Sequence, residues 1–423
     1  MQKFPVGKIK KCKYSVLRLH IRKKSVYYQK IFYFSAGLFC VFGLFSGKTI
    51  KKLSNPNRKD KIMQAKLREI ASHFDIYGNY LWAETRKTGH INDTCFGVFN
   101  QAGIQVRYIF QRINHNVFRK PEELMSNVSR VIQHIRTKLR GQNDASRRVM
   151  TLVPTFDGKF YHRTDDGNYW RCYLFIERAR TYDVMECTEH AYQAAHAFGT
   201  FQQQLSDMQG ERLFDTIPNF HNTPSRLVAF HETLQKDPRN RAAHVKEEIE
   251  FIEKFSEKCS IITDLLANGG IPERVCHNDT KLNNVMLDDE TGEAICVIDL
   301  DTVMPGSGLY DFGDLVRSSV SPAPEDEPDL ARVYCRLDIY ESLTRGFLDG
   351  CKGCLTSKEI ELMPFAAQLI TFENGMRFLT DYIDGDNYFK IHKPEHNLDR
   401  CRTQFKLVRD LMEQEDTLAQ MSR

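Results

Sequence analysis

Residues 275–302 read VCHNDTKLNNVMLDDETGEAICVIDLDT and constrain the fold more than any other stretch of the chain. Two apolar runs, NVML and AICVID, flank the acidic turn DDETGE, and this pattern predicts a β-hairpin. Asp279 lies in the loop before the first run, Asn284 opens that run, and Asp299 ends the second. Folding the hairpin therefore brings these three side chains to one end of it.

The three side chains suit a phosphoryl-transfer site. A carboxylate and an amide oxygen near a second carboxylate are hard oxygen ligands, which Mg²⁺ prefers while keeping positions for water and substrate phosphates. Asn284 and Asp299 would then hold the metal, and Asp279 would remain free to accept a proton from a hydroxyl. This division of labour belongs to phosphoryl transfer, where positioning and charge neutralisation supply most of the catalysis.

Neighbouring polar residues also have ordinary structural interpretations. Acidic side chains at loop ends usually form turns or caps. Asp311 and Asp314 in YDFGDL fit such a role, stabilising the loop after the metal site. For Asp301, a second metal or substrate contact and a turn or cap bond are both open. His277 is expected to brace its loop through hydrogen bonds rather than to transfer protons.

The rest of the chain divides into a strand-rich part and a helical part. From about residue 76 to 112, short apolar runs alternate with turns, which predicts antiparallel strands. The segment KPEELMSNVSRVIQHIRTKL has Pro121 at a first helical turn and apolar residues at helical spacing, so it predicts a helix packed on those strands. A second strand pair ends at Glu177, and helix-like segments dominate beyond it. We therefore expect an α+β, two-lobed fold with a ligand cleft between the lobes.

Charge is divided unevenly along the chain. Residues 1–62 hold 16 Lys or Arg and one acidic residue, Asp60, so they carry +15. Because the formal net charge of the whole chain is +4, the remaining residues carry −11, which argues against nucleic acid as a main partner. The apolar run at residues 31–45 is shorter than the ~20 residues of a membrane span. A membrane-surface anchor, an uncleaved signal-like segment and upstream sequence before a start at Met63 all remain open for this basic extension.

The 12 cysteines are scattered along the chain. Only Cys351 and Cys354, in CKGC, lie close to each other in sequence, and a zinc site would need a second pair of ligands nearby. We therefore expect reduced cysteines in a cytoplasmic protein.

Several of these motifs together resemble a known superfamily. The pattern His-x-Asp-(x)4-Asn, followed by an apolar strand and an Asp, resembles the catalytic and metal loops of the aminoglycoside phosphotransferases and choline kinases, relatives of protein kinases. Within that superfamily, residues 63–415 are similar to N-acetylhexosamine 1-kinases. The segments that carry this similarity are TGHINDT, QRIN, CHNDTKLNN, IDLDT and ENGMRFLTDYIDGDNYFK.

The resemblance implies a protein-kinase-like fold that uses ATP and Mg²⁺. A small strand-rich N-lobe, residues 63–177, would bind the nucleotide, and a larger helical C-lobe, residues 178–423, would be catalytic and bind the substrate. The partner it implies is a small-molecule sugar rather than nucleic acid. The resemblance leaves the oligomeric state open.

The resemblance also assigns roles to single residues. It implies that Asp279 orients and deprotonates the 1-hydroxyl of a sugar, and that Asn284 and Asp299 are the Mg²⁺ ligands. Arg377 and Tyr388 stand at positions that contact the sugar in the family. An arginine fork and a tyrosine hydroxyl suit such an oxygen-rich ligand.

For the phosphates of the nucleotide, the resemblance implies Thr94 and Arg112 as cofactor-binding residues. TGHINDT, residues 88–94, stands where a phosphate-covering loop runs between two strands, although its single Gly makes the bare motif weak. Arg112 stands where protein kinases place a strand lysine, which is a departure from the kinase pattern. Its helix partner would be Glu122 or Glu123, unless both simply favour the helix N-terminus.

Three functional hypotheses result. The first is an ATP-dependent kinase of the anomeric 1-hydroxyl of N-acetylglucosamine or N-acetylgalactosamine. The second is a kinase of the same fold acting on another alcohol, such as an aminoglycoside, choline or homoserine. The third is a non-catalytic nucleotide-binding or membrane-associated regulator, which the intact acidic motif argues against. The basic extension keeps the third open, with weak membrane contact through residues 1–62.

Overall fold

A computed structural model describes residues 58–86, 91–185 and 187–422, without the side chains of residues 58–62 and 86. Of the predicted extension, only the backbone of its last turn is described, and residues 1–57 lie outside the described residues. Residues 88–90 of the TGHINDT segment also lie outside them. Residues 57–423 form one unit by their internal contacts. No helix in the described ranges is both long and apolar enough to cross a bilayer.

An antiparallel sheet forms the first lobe, as the alternating apolar runs predict. Its strands are β1 (Asn79–Arg86), β2 (Asp93–Gln101), β3 (Ile104–Ile113), β4 (Leu152–Val153), β5 (His162–Arg163) and β6 (Tyr169–Leu174). In space they follow the order β1, β2, β3, β6, β4, and β5 pairs with β6. The helix α1 (Arg58–Ala71) covers one face of this sheet and α2 (Pro121–Lys138) covers the other.

The two faces of the sheet differ because side chains alternate along a strand. Phe110 and Cys172 face α1, and they pack with Leu67 of that helix. Ile113 and Tyr173 face α2, whose apolar stripe they meet in a second cluster. The predicted helix after Lys120 is therefore confirmed, and it packs on the strands as expected.

Short strands lie beneath the sheet at the start of the second lobe. They are β7 (Ala179–Arg180), β8 (Arg274–Cys276), β9 (Val285–Asp288), β10 (Ala294–Val297) and β11 (Met304–Gly306). β9 and β10 are antiparallel, with Val285 opposite Val297, which confirms the predicted hairpin. β7 pairs with β9, and β8 pairs with β11.

Helices form most of the second lobe. They are α3 (Thr188–Leu205), α4 (Thr223–Lys236), α5 (Lys246–Phe255), α6 (Ile261–Ala267), α7 (Gly308–Ser319), α8 (Leu337–Cys351), α9 (Ser357–Glu361), α10 (Met363–Asp384), α11 (His396–Glu413) and α12 (Glu415–Met421). The largest hydrophobic cluster lies among them, and α10 is buried along nearly its whole length. The cysteines in the described ranges form no disulfide.

Candidate active site

The loop that follows β8 carries the first motif residues. His277 is buried; its Nε2–H donates to the carbonyl of Ile298 at 2.9 Å, and its Nδ1 accepts the backbone N–H of Asp279 at 3.3 Å. One ring nitrogen donates and the other accepts, so the ring is a neutral imidazole. His277 therefore ties its own loop to the end of β10 through hydrogen bonds.

Two acidic residues of α7 hold the backbone of the same loop. The carboxylate of Asp311 accepts the N–H of His277 at 3.0 Å and that of Asn278 at 2.7 Å. Asp314 accepts the N–H of Thr280 at 2.9 Å. Burial raises the pKa of Asp311, and these hydrogen bonds partly offset that rise. The two carboxylates thus have a structural role, as expected, but the loop that they hold is the one that carries Asp279 rather than the loop after the proposed metal site.

Asp279 presents an ionised carboxylate to the cleft. Its side chain is 27% exposed, lies 2.7 Å from the ammonium of Lys281, and accepts the amide N–H of Asn284 at 3.1 Å. Burial alone would raise the pKa of Asp279, but the charge and hydrogen bond of Lys281 outweigh it and hold the pKa at about 2. The carboxylate is therefore charged at neutral pH and able to accept a hydroxyl proton.

Asp299 follows β10 in a left-handed backbone conformation, with φ of 59° and ψ of 58°. Asp residues adopt this region more readily than most, and here it turns an exposed side chain into the cleft. Desolvation by the surrounding protein is the largest cause that raises the pKa of Asp299 to about 7, and the negative charges of Asp301 and Asp279 add to it. The positive charges of Arg171 and Lys281 oppose that rise. The carboxylates of Asp301 and Asp279 thus lie close enough to Asp299 to repel its charge.

The donor set at this point fits Mg²⁺. Asn284 ends a 3₁₀ turn directly before β9, and its amide nitrogen donates to the backbone oxygen of Asp279 at 2.8 Å. Nowhere in the described ranges do three or more His, Cys, Asp or Glu side chains form a metal site of their own. One carboxylate and one amide oxygen instead suit an ion that takes its remaining ligands from phosphates and water.

Asp301 is committed to a contact between the two lobes. Its side chain is 4% exposed and pairs with Arg171 of β6, whose side chain is 1% exposed. The other carboxylate oxygen accepts the amide of Asn92 at 2.6 Å. Arg171 also donates to Gln111 of β3 at 2.8 and 3.0 Å. This network answers the open question about Asp301: its carboxylate links the metal loop to the sheet.

The two predicted phosphate-binding residues lie on opposite faces of the sheet. Thr94 accepts a hydrogen bond from Gln111 at 3.2 Å and therefore shares the face of Arg171. Arg112 is the next residue along β3, so its side chain points to the α1 face. It pairs there with Asp93, rather than with a glutamate of α2. The structure brings Thr94 towards the acidic cluster and keeps Arg112 away from it.

The predicted sugar-contacting residues lie on and after α10. The guanidinium of Arg377 sits 5.5 Å from the ring centres of both Phe220 and Phe389. Tyr388 is 64% exposed. Its loop is fixed by Asp381, whose carboxylate accepts the N–H of Tyr388 at 2.7 Å and that of Phe389 at 2.9 Å. Arg377 and the Tyr388 loop thus meet through Phe389.

Sequence reasoning missed three functional features of this site. Lys281 had a signal, because it stands two residues after Asp279 within the quoted motif. Arg171 had none, because an arginine inside a strand usually marks a solvent-facing edge. The pairing of His221 with Glu373, at 2.8 Å, joins residues that are 152 positions apart and has no local signature.

The motif residues lie within a part of the chain that matches a known protein family. A family model described as "Phosphotransferase enzyme family" (APH) matches residues 88–344, which is more than half of the chain. The match includes Asp279, Asn284 and Asp299. It ends before α10, so Arg377 and Tyr388 lie beyond it.

Solved structures share the fold at low sequence identity. An aminoglycoside phosphotransferase from Alicyclobacillus acidocaldarius is 14% identical with a TM-score of 0.53, over 83% of this chain and 96% of that one. A choline kinase from Cryptosporidium parvum is 13% identical with a TM-score of 0.51, over 84% and 96%. The GDP complex of aminoglycoside 2'-phosphotransferase-IIIa is 11% identical with a TM-score of 0.52, over 82% and 98%. These likenesses confirm the predicted two-lobed, protein-kinase-like fold.

Proposed function

Because the chain belongs to the phosphotransferase enzyme family, we propose that it transfers the γ-phosphate of ATP to the anomeric 1-hydroxyl of an N-acetylhexosamine, in a Mg²⁺-dependent reaction. The observation that carries the proposal is the ionised Asp279 carboxylate, held between Lys281 and Asn284 at the mouth of the cleft. A charged carboxylate in this position can align a hydroxyl and accept its proton as the phosphoryl group moves. We propose a cytoplasmic location, where an enzyme would have access to both ATP and the sugar.

Asn284 and Asp299 are the proposed metal ligands. When bound, Mg²⁺ offsets negative charge on the phosphate oxygens and on the converging carboxylates. Asp299 offers its carboxylate from the exposed turn after β10, and Asn284 offers its amide oxygen from the start of β9. Lys281 lies beside Asp279 and keeps the base charged while the phosphates approach.

Nucleotide binding is proposed for the sheet side of the cleft. The solved GDP complex of aminoglycoside 2'-phosphotransferase-IIIa contains a nucleotide in a protein of this fold. Thr94 would offer its hydroxyl to phosphate oxygens from the face of the sheet that it shares with Arg171 and Gln111. Arg112 would reach a phosphate only by giving up its contacts with Asp93 and Asn168.

The acceptor pocket favours an oxygen-rich alcohol over choline. A quaternary ammonium group is bound by the open faces of aromatic rings. Here the guanidinium of Arg377 already lies over Phe220 and Phe389, so a second cation would meet charge repulsion. The guanidinium and the Tyr388 hydroxyl instead suit sugar hydroxyl and acetamido oxygens.

The test is a coupled ADP-release assay with Mg²⁺-ATP. The acceptor panel contains N-acetylglucosamine, N-acetylgalactosamine, unsubstituted hexoses, choline, homoserine and an aminoglycoside, and the phosphorylated position is read by ³¹P and ¹H NMR. Asp279→Asn serves as the matched inactive control, because it preserves size and removes the proton acceptor.

Two groups of outcomes separate the hypotheses. A 1-phosphate product from N-acetylhexosamines, absent with Asp279→Asn, supports the proposed function. Turnover of only another alcohol keeps the phosphotransferase chemistry and rejects the sugar. Nucleotide binding without turnover of any acceptor rejects catalysis and favours a regulator.

A further inference from the structure

A buried histidine connects the acceptor side of the cleft to the loop that carries Asp279. The side chain of His221 is 4% exposed, and each ring nitrogen has a partner. Nδ1 lies 2.8 Å from Oε1 of Glu373, and Nε2 lies 3.2 Å from the backbone oxygen of Asn278. Thr223 donates its hydroxyl to the other carboxylate oxygen of Glu373 at 2.7 Å.

The hydrogen-bonding partners of His221 indicate which ring nitrogen donates to the loop. A backbone carbonyl is an acceptor only, so Nε2 of His221 donates to Asn278. Burial alone would raise the pKa of Glu373, but His221, then Arg377 and Thr223, outweigh it and hold the pKa below its ordinary value. The carboxylate is therefore ionised and also accepts. The ring of His221 is thus held from both sides, between the carboxylate of Glu373 and the carbonyl of Asn278.

The residue that accepts from Nε2 of His221 has a left-handed backbone conformation. Asn278 has φ of 63°, in a region that glycine, asparagine and aspartate adopt more readily than other residues. Its N–H is held by Asp311 at 2.7 Å, and its side chain donates to the oxygen of Thr302 at 3.0 Å. The carbonyl of Asn278 begins the peptide unit that ends in the N–H of Asp279. Fixing that carbonyl therefore fixes the plane from which the Asp279 side chain departs.

Stability alone is a poor explanation for this arrangement. Removing two charges from water costs free energy that their attraction seldom returns, and apolar residues of similar size often serve a fold as well. Here the side chains of His221 and Glu373 are 4% and 0% exposed, and the ring of Tyr310 lies 5.2 Å from that of His221. An apolar pair would not supply a directed hydrogen bond to the carbonyl of Asn278.

The same pair also reaches the acceptor pocket. Glu373 and Arg377 stand one turn apart on α10, so their side chains share a face of the helix. Phe220, over which Arg377 lies, is the residue before His221. A short series of side-chain contacts thus connects Arg377, and any ligand that Arg377 contacts, to the loop that carries Asp279.

We propose that His221, oriented by Glu373 and Thr223, is a positioning residue that fixes the Asn278 carbonyl and thereby aims Asp279 at the acceptor hydroxyl. This inference rests on the proposed phosphotransferase function. His221 touches neither substrate; it acts through the backbone of the loop.

Two substitutions separate positioning from structural support. The amide nitrogen of glutamine lies near the position of Nε2 in histidine, and that of asparagine lies near Nδ1. His221→Gln therefore keeps the bond to Asn278 and weakens the bond to Glu373, whereas His221→Asn does the reverse. His231→Asn is the matched control, because His231 is exposed and pairs with exposed Glu253.

The proposal expects the two variants to rank oppositely in rate and in stability. His221→Asn should lower kcat by roughly 10–100-fold with an unchanged KM for ATP, since a small misplacement of a catalytic group costs that much. His221→Gln should keep more of kcat yet melt at a lower temperature than His221→Asn, because the buried carboxylate of Glu373 loses its hydrogen bond only in His221→Gln. A kcat that falls equally in both variants, or that follows the melting temperatures, overturns the proposal.

A second measurement keeps the test decisive if either variant fails to fold. ¹⁵N NMR of the histidine rings in the unaltered protein should show a proton on Nε2 of His221, and Thr223→Val should reduce kcat without changing the KM for ATP. An Nε2 of His221 without a proton, or an unaltered kcat in Thr223→Val, overturns the proposal.

Failure of the sugar hypothesis remains distinguishable. If no alcohol in the panel is phosphorylated, the rates of the same variants are compared on ADP release with water as the acceptor. The proposal expects that reaction to depend on Asp279 as well, so the expected ranking and the overturning result are unchanged.

Discussion

The two carboxylates that face the cleft differ in pKa because their neighbours differ. Lys281 contacts Asp279 and holds its pKa at about 2. Asp299 has no ion-pair partner in the described part of the chain, and surrounding protein together with Asp301 and Asp279 raises its pKa to about 7. Environments that push two pKa values apart give two carboxylates separate tasks. Here one is suited to accept a proton and the other to meet a cation.

Asp279→Asn should abolish most turnover while nucleotide binding persists. An amide cannot accept the hydroxyl proton, and loss of a general base lowers kcat by roughly 10²–10⁴-fold. ADP release measures the rate, and calorimetry measures Mg²⁺-ATP binding. Asp289→Asn is the control, because Asp289 lies in the hairpin turn and pairs with exposed Arg180. A near-normal rate in Asp279→Asn would remove this residue from the mechanism.

Asp299→Ala should weaken the Mg²⁺ dependence of nucleotide binding. Substituting partners that only support a metal ligand costs 10–100-fold in affinity, so loss of the ligand itself should cost at least about tenfold. The Mg²⁺ concentration for half-maximal ATP binding is the quantity to measure, with EDTA-treated protein as the starting point. An unchanged Mg²⁺ titration would show that Asp299 is not a ligand.

At the scale of elements, α3 and α8 pack so closely that only glycines fit at their crossing. A Cβ on Gly199 of α3 would overlap the carbonyl oxygen of Phe347 of α8. A Cβ on Gly346 or Gly350 of α8 would likewise overlap a backbone carbonyl oxygen of α3. Backbone cannot swing aside as a flexible side chain does, so the helices themselves would have to separate.

Gly199→Ala should therefore destabilise the fold by about 3 kcal/mol, the upper end of what overpacking usually costs. Urea denaturation measures the free energy of unfolding. Thr200→Ala is the matched control: the hydroxyl oxygen of Thr200 is buried without a hydrogen-bond partner among the described residues, so its removal should be neutral or stabilising. Equal stability of Gly199→Ala and the parent protein would contradict the close packing.

The two arginines of the sheet should respond differently to substitution. Arg171→Met leaves Asp301 buried without its charged partner, which typically costs 3–5 kcal/mol. Arg112→Met breaks a solvent-exposed pair with Asp93, worth at most about 1 kcal/mol. Unfolding free energies and the KM for ATP of both variants are the measurements. A large rise in KM for ATP in Arg112→Met alone would restore Arg112 as the phosphate contact.

At the scale of the whole molecule, α1 joins the folded unit through its apolar side. Leu67 and Ile70 are 2% exposed, and Phe74 just beyond the helix is 1% exposed. They pack against the α1 face of the sheet. The helix begins at Arg58, so the start at Met63 considered from the sequence falls within its second turn.

A chain beginning at Asn57 should keep the kcat and melting temperature of the full chain, because it retains α1 entire. A chain beginning at Asp75 should be far less stable, since each lost apolar side chain contributed about 1.5–3 kcal/mol of burial. Melting curves and ADP release of the three proteins are the comparison. Loss of activity in the chain that begins at Asn57 would assign the basic extension a role in catalysis.

Local rules explain how much of the cleft could be predicted. Alternating apolar runs and the acidic turn predict the β9–β10 hairpin, and this hairpin brings Asn284 and the Asp299 turn to one end. Helical spacing after Pro121 predicts α2 and its packing on the sheet. Each of these signals acts within about 25 residues, a range over which turn chemistry and periodicity control the chain.

The sequence by itself thus determined the hairpin, the helices, the division into a strand-rich and a helical lobe, and the spacing of Asp279, Asn284 and Asp299. Only the tertiary structure decided which charges meet. Arg171 pairs with Asp301 across the cleft, and His221 pairs with Glu373 152 positions away. The physical reason is that local periodicity specifies which face of an element is buried, whereas a charge pair forms only where packing brings two buried faces together.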